Sequence, residues 1–199
     1  MSAATEPGRR ERKKAATRAT IATAALDLFL ASGFDAVGIR DIAKQADVAL
    51  ATVFAHFPSK EALVFDDDEE LVRSLVAALG RHSDGAGVVD DLEQWFMRSR
   101  AVEHRRRANP DFAAFRRLVE ETPALRRYWE DMWRRHRGDV ADAIERSTGA
   151  DQRVAKLVAA LTIEGYLLAA DDDQPDEVLQ LLFRTLRGGL PSLTGRPQD

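Results

Sequence analysis

Apolar side chains recur at spacings of three and four along nearly the whole chain, the period of an amphipathic helix. No stretch alternates apolar and polar residues as a half-buried strand does, and no Asn-Gly or Asp-Gly pair joins two such stretches. The pattern predicts an all-α fold of about nine helices. Ile21, Ala25, Leu28 and Phe29 share one face of a helix over about 11–32. Gly33 stops it as a left-handed cap, and Phe34 folds back over the last turn. Two short helices follow at about 39–45 and 50–56. Pro58 breaks the chain, and Ser59 caps a helix running to about Gly80. The stretch RHSDGAG, 81–87, is the strongest linker signal.

Beyond it, Leu92, Trp95, Phe96 and Ser99 share a face of a helix over about 88–107. Asn109-Pro110 and Thr122-Pro123 each place a capping residue before a proline at the first helical position. The first starts a short helix carrying Phe112, Phe115 and Val119. The second starts the longest helix, to about Ser147, with the stripe Leu125, Tyr128, Trp129, Met132, Trp133 and His136. Gly149 stops it. The last two helices cover about 151–170 and 175–188. The pattern divides into an N-terminal basic arm without regular structure over 1–10, a helix-turn-helix unit over 11–64 and a helical domain over 65–199.

Three helices in the first 57 or so residues, the last two short and joined by a tight turn, are the parts of a helix-turn-helix, here 38–57. Ile39, Ile42 and Ala43 face inward from the second helix, Val53 and Phe57 from the third. Ala49, Leu50, Thr52, Ala55 and His56 are left to face a groove. The stretch IATAALDLFLASGFDAVGIRDIAKQADVALATVFAHFPSKEAL resembles the N-terminal domain of the TetR family of transcriptional regulators. Leu28-Phe29, Gly33-Phe34, Ile42-Ala43, Ala46, Val48, Thr52-Val53, His56-Phe57 and Ser59-Lys60-Glu61 carry the likeness over about residues 15–64. The resemblance implies a homodimer on double-stranded DNA, its short helices entering successive major grooves of a palindromic operator. It also implies a C-terminal effector-binding and dimerisation domain and, in the simplest mechanism, a repressor released by its ligand. It places His56 and Lys60 near phosphates and Ala49, Leu50, Ala51, Thr52, Phe54 and Ala55 along the groove.

Four positions depart from that pattern. Gly38 stands where a Thr often caps, Asp47 where a turn Gly is usual, Ala49 where a Ser caps, and Phe54 where a Tyr hydroxyl can reach DNA. Three of these changes remove a hydrogen bond to the duplex. The alternative is a helical adaptor or sensor with a relic helix-turn-helix that does not bind DNA.

Charge placement favours DNA. The chain carries net −4, yet residues 1–20 hold six basic side chains against two acidic ones. Arg9, Arg10, Arg12, Lys13 and Lys14 form the compensating basic cluster, and Arg40 and Lys44, one turn apart, add two more phosphate contacts. The apolar groove residues suit close approach and thymine methyl groups.

The second half is rich in large aromatics, which either fill a core or line a cavity between helices. Trp95, Phe96, Ser99, Glu103, Phe115, Tyr128, Trp129, Met132, Trp133 and His136 are the candidates for a largely apolar pocket holding a small lipophilic effector. Small residues on 151–170 and the apolar stripe on 175–188 suit a four-helix dimer interface. There is no Cys, and no HExxH, GxSxG, GxGxxG or Walker loop. The four His are scattered, and the acidic runs 66–70 and 171–173 read as solvated surface. The expectation is no enzyme, no cofactor and no metal. With no apolar run long enough for a membrane span or a signal peptide, it is also a cytoplasmic location with no membrane partner.

Overall fold

The computed structural model describes residues 8–66, 68–79, 85–106 and 109–188. Those residues form ten α-helices and one 3-10 turn, and none is in a strand. The helices are α1 (Arg9–Ser32), α2 (Ile39–Gln45), α3 (Leu50–His56), α4 (Asp68–Ala78), α5 (Gly85–Arg106), α6 (Pro110–Glu121), α7 (Pro123–Arg135), α8 (Arg137–Thr148), α9 (Gln152–Ala170) and α10 (Pro175–Gly188). The turn covers Glu61–Leu63. Helix content and type follow the periodicity, and local chemistry sets the ends. Gly33 ends α1 with its N–H on Phe29 O at 2.8 Å, but at φ 84°, ψ 152° it is extended and not in the left-handed helical conformation expected of it. Gly149, left-handed at φ 67°, ends α8 in the same way on Glu145 O. The Asn109 side chain accepts from Asp111 N at 2.9 Å, ahead of Pro110 at the first helical position of α6.

Three expected boundaries move. Arg9 and Arg10 are not part of an unstructured arm: α1 begins at Arg9, and Glu11 reaches back to accept from Gly8 N at 3.2 Å. Residues 1–7 of the expected arm, and 81–84 of the expected linker, lie outside the described residues. The helix expected from Ser59 to Gly80 is a 3-10 turn followed by α4. Ser59 Oγ does cap, accepting from Ala62 N at 3.3 Å. Of the acidic run 66–70, residue 67 lies outside the described residues, and α4 begins at Asp68. The helix expected over 123–147 is two helices. At His136 the backbone leaves helical geometry (φ −86°, ψ 5°), and His136 Nδ1 meets Asp139 Oδ2 at 2.8 Å in the first turn of α8. Gly138, a weak helix former, stands two residues after His136.

The chain splits into two compact units. The first comprises residues up to 67 together with 109–129. Its core is Ile21, Ala25 and Phe29 of α1, Phe34, Ile42 of α2, Val53 and Phe57 from α3 and its end, Leu63, and Leu125 of α7. Phe29 and Phe57, each 1% exposed, contribute about 1.5–3 kcal/mol apiece by burial. Phe34 folds back on Phe29 at 5.0 Å between ring centroids. Phe115, Leu118, Val119 and Tyr128 pack against this core, and Phe65 stacks on Tyr128 at 5.5 Å. A contiguous division of the sequence near residue 64 does not contain this return of 109–129.

The second unit comprises 68–108 and 130–199. Phe96 of α5, Trp133 of α7 and Phe183 of α10 are completely buried in it. Arg100 ties α5 to α10 through Asp176 at 2.6 Å, and Arg187 returns the link to Asp90 at 2.6 Å.

Candidate nucleic-acid interface

Val53 points into the first unit at 1% exposure, which fixes the orientation of α3. At 100° per residue, positions two before and two after Val53 project to the opposite side. These are Ala51 and Ala55, both exposed. Phe54 occupies one flank of that outward face at 57% exposure, and half-buried Thr52 the other. Leu50 is half-buried against the core and Ala49 is exposed at the N-cap. The turn before α3 works as its sequence requires. Asp47 takes φ 51°, the only left-handed non-glycine among the described residues, a conformation Asp tolerates better than most residues do. At Gly38, the Asp41 carboxylate accepts from the backbone N–H at 2.9 Å, so α2 is capped from within and not by the missing Thr.

Arg40 and Lys44 are exposed on α2, and Arg9, Arg10, Arg12, Lys13 and Lys14 are exposed on the first turns of α1. Lys60 is less free. Its ammonium donates to Phe34 O at 2.5 Å and lies 4.3 Å from the Phe34 ring centroid. The phosphate role that the resemblance gives it would require that contact to be shared.

Arg18 is the residue that sequence reasoning missed. It donates to His56 O at the end of α3, its guanidinium carbon lies 4.2 Å from the Phe57 ring centroid, and its Nε is 2.5 Å from Asp66 Oδ1. One side chain of α1 thereby fastens the C-terminus of α3 to the chain just before α4. The signal was present: Arg18 precedes Ile21 by three residues and Ala25 by seven, so it lies on the buried stripe of α1. His56 is half-buried and its Nδ1 has no hydrogen-bond partner. Burial holds its imidazole below the ordinary value, and the positive charges of Lys14 and Arg18 push the same way against Asp66.

The candidates for an effector site do not form one group. Phe115, Tyr128 and Trp129 belong to the first unit. In the second, Trp95, Phe96 and Trp133 pack on one another and on Tyr166 and Phe183, with centroids 4.7–6.1 Å apart. Side chains fill this centre, and Met132 is buried at 1% exposure. Burial raises the Tyr166 phenol pKa. Trp95 Nε1 donates to Ser74 Oγ at 3.0 Å. Half-buried Ser99 and Glu103 lie on α5, Glu103 within 4.0 Å of Arg100. Trp133 Nε1 and Thr162 Oγ1 are buried without a partner. His136 lines an open groove of about 350 Å³ between α4 and α8, with Val72, Val76 and Asp142.

On α9 the small residues face inward. Ala155 and Ala159 are fully buried, and Gly165 leaves room for Leu182 of α10, whose Cδ2 would lie 2.7 Å from an added Cβ. The outward face is apolar: Val154, Leu157, Leu161 and Leu168 are 45–63% exposed, and Leu181 of α10 is 46% exposed. No helix among the described residues is long and apolar enough to cross a membrane.

Comparison with known proteins places these features. Residues 21–66 match the family described as bacterial regulatory proteins, tetR family. The HTH-type transcriptional regulator TcmR of Streptomyces glaucescens is 31% identical over 187 residues, covering 90% of this chain and 74% of that protein. The HTH-type transcriptional repressor KstR of Mycolicibacterium smegmatis is 40% identical over 72 residues, 36% of this chain and 28% of that one. A TetR-family regulator from Streptomyces coelicolor shares the fold with a TM-score of 0.56 at 21% identity, over 92% of this chain and 97% of its own. With the helix-turn-helix geometry above, the chain belongs to the TetR family of transcriptional regulators.

Proposed function

We propose that this regulator is a ligand-responsive repressor that binds a palindromic operator as a homodimer. The observation that carries the reading is the outward face of α3, exposed at Ala51, Phe54 and Ala55, in a unit that also exposes the cations of α1 and α2. One such unit reads one half-site, and two-fold pairing sets two of them about 34–36 Å apart. The exposed stripe of α9 with Leu181 of α10 supplies the pairing surface, because isologous contact between two such faces buries leucines that one chain leaves in water. KstR is named as a repressor, which supports negative control here.

The effector is small and largely apolar. Its support is the aromatic centre of the second unit with the unpartnered polar atoms Trp133 Nε1 and Thr162 Oγ1. A buried polar atom left unpaired costs about 1–3 kcal/mol, which a ligand offering the matching group recovers. Since that centre is closed by side chains, the ligand-bound state is a repacked one, and unequal binding to the two states is what releases DNA. Footprinting on the chain's own upstream region, with light scattering to give the mass, tests the reading. A protected palindrome with two chains per site is expected. A monomer that protects no sequence favours the adaptor alternative.

A further inference from the structure

Resting on the DNA-binding reading, we propose that α3 selects its operator chiefly through the 5-methyl groups of thymines, with Phe54, Ala51 and Ala55 as the reading surface. The outward face of α3 presents two alanine methyls and one phenyl ring, and no hydrogen-bonding group among them. The phenyl is 57% exposed on a seven-residue helix whose inward side is already filled by Val53 and Phe57. Polar readout is confined to the edges. Thr52 is half-buried on one flank, and His56 keeps its Nδ1 buried, which leaves a single ring nitrogen for anything outside.

The major groove narrows the choice of target. Its edges carry hydrogen-bond donors and acceptors at every base, and one apolar feature, the thymine methyl. Pressing Ala51, Phe54 and Ala55 against the N7 and O6 of guanine or the N4 amine of cytosine strips water from those groups and returns no partner. Against a thymine methyl, the same side chains bury apolar surface on both sides. The exposed cations Arg40 and Lys44 on α2 supply phosphate attraction without sequence information, so the discrimination falls to the methyl contacts and Thr52.

The test uses the full chain and a random-sequence duplex library. After enrichment, each fixed thymine in the recovered site is replaced by deoxyuridine, which removes only the methyl. Expected is enrichment of thymine at fixed positions and a loss of about three- to tenfold in affinity for each contacted methyl. In Phe54→Ala, with its helical signal and urea midpoint retained, the ratio of thymine to deoxyuridine affinities falls towards one at the position the ring covers. Equal affinity for thymine and deoxyuridine duplexes overturns the proposal while leaving DNA binding intact. Failure to enrich any duplex overturns the DNA-binding reading and this proposal together.

Discussion

Arg18→Ala isolates a single side chain that holds the recognition helix from behind. The substitution removes the donor to His56 O, the ion pair to Asp66 and the stack on Phe57. A charge-assisted hydrogen bond contributes about 1.5–3 kcal/mol when buried. The Arg18 side chain is 34% exposed and that of Asp66 25%, so solvent screening brings the ion pair to about 0.5–1 kcal/mol. The stack adds about 0.5–1 kcal/mol. These interactions share one guanidinium and do not add in full, which puts the expected loss at about 2 kcal/mol. Arg18→Lys keeps the charge without the planar fork and recovers about half of it. Urea denaturation of the full chain measures the loss. Removal of the Arg18 charge also lets the His56 pKa rise, which an NMR titration of the ring protons follows. A stability change under about 0.5 kcal/mol with an unmoved His56 titration would refute the clamp.

Because the folded-state pKa of His56 lies below its unfolded value of about 6.5, the unfolded chain binds the extra proton. Stability is then complete above pH 6.5 and falls as the pH drops below it. The wild-type urea midpoint should therefore fall more between pH 7.5 and 5.5 than that of His56→Gln. Equal slopes would remove His56 from the account. Replacing Arg9, Arg10, Arg12, Lys13 and Lys14 by Gln should weaken all duplexes alike and reduce the slope of log affinity against log salt by about 0.9 for each phosphate no longer neutralised. An unchanged slope would mean the start of α1 stands clear of DNA. Gly165→Ala gains helix propensity of about 1 kcal/mol but drives its methyl into Leu182. It should be neutral to destabilising alone and stabilising in the Leu182→Ala background, a double-mutant coupling of about 1 kcal/mol or more.

The all-α fold and the helix-turn-helix were legible because their signals are local. The inward stripe Ile21, Ala25, Phe29, Ile42, Val53 and Phe57, and the stops at Gly33 and Gly149, need only neighbours in sequence. What the chain alone did not disclose depends on unusual local caps and on distant partners. The start of α1 at Arg9 uses Glu11 and Gly8, a cap without an Ncap side chain. The break at His136, beside Gly138 and a pairing with Asp139, is concealed by an uninterrupted apolar stripe. The aromatic residues read as one pocket divide between two units, because Phe115 and Tyr128 return to the core of the first. Arg18 looked like one more surface charge until its place on a buried face was matched to the free carbonyl at the end of α3. Of the candidate interface, the outward set Ala51, Phe54 and Ala55 follows from Val53 alone.

The most direct test of the account is binding of the purified full chain to duplexes selected from a random library, titrated across salt concentration with the stoichiometry determined. The account predicts a two-fold symmetric site, two chains on each duplex, a steep fall in affinity with salt, and discrimination against scrambled sequence of at least about a thousandfold. Equal affinity for selected and scrambled duplexes, or one chain on each site, would contradict it.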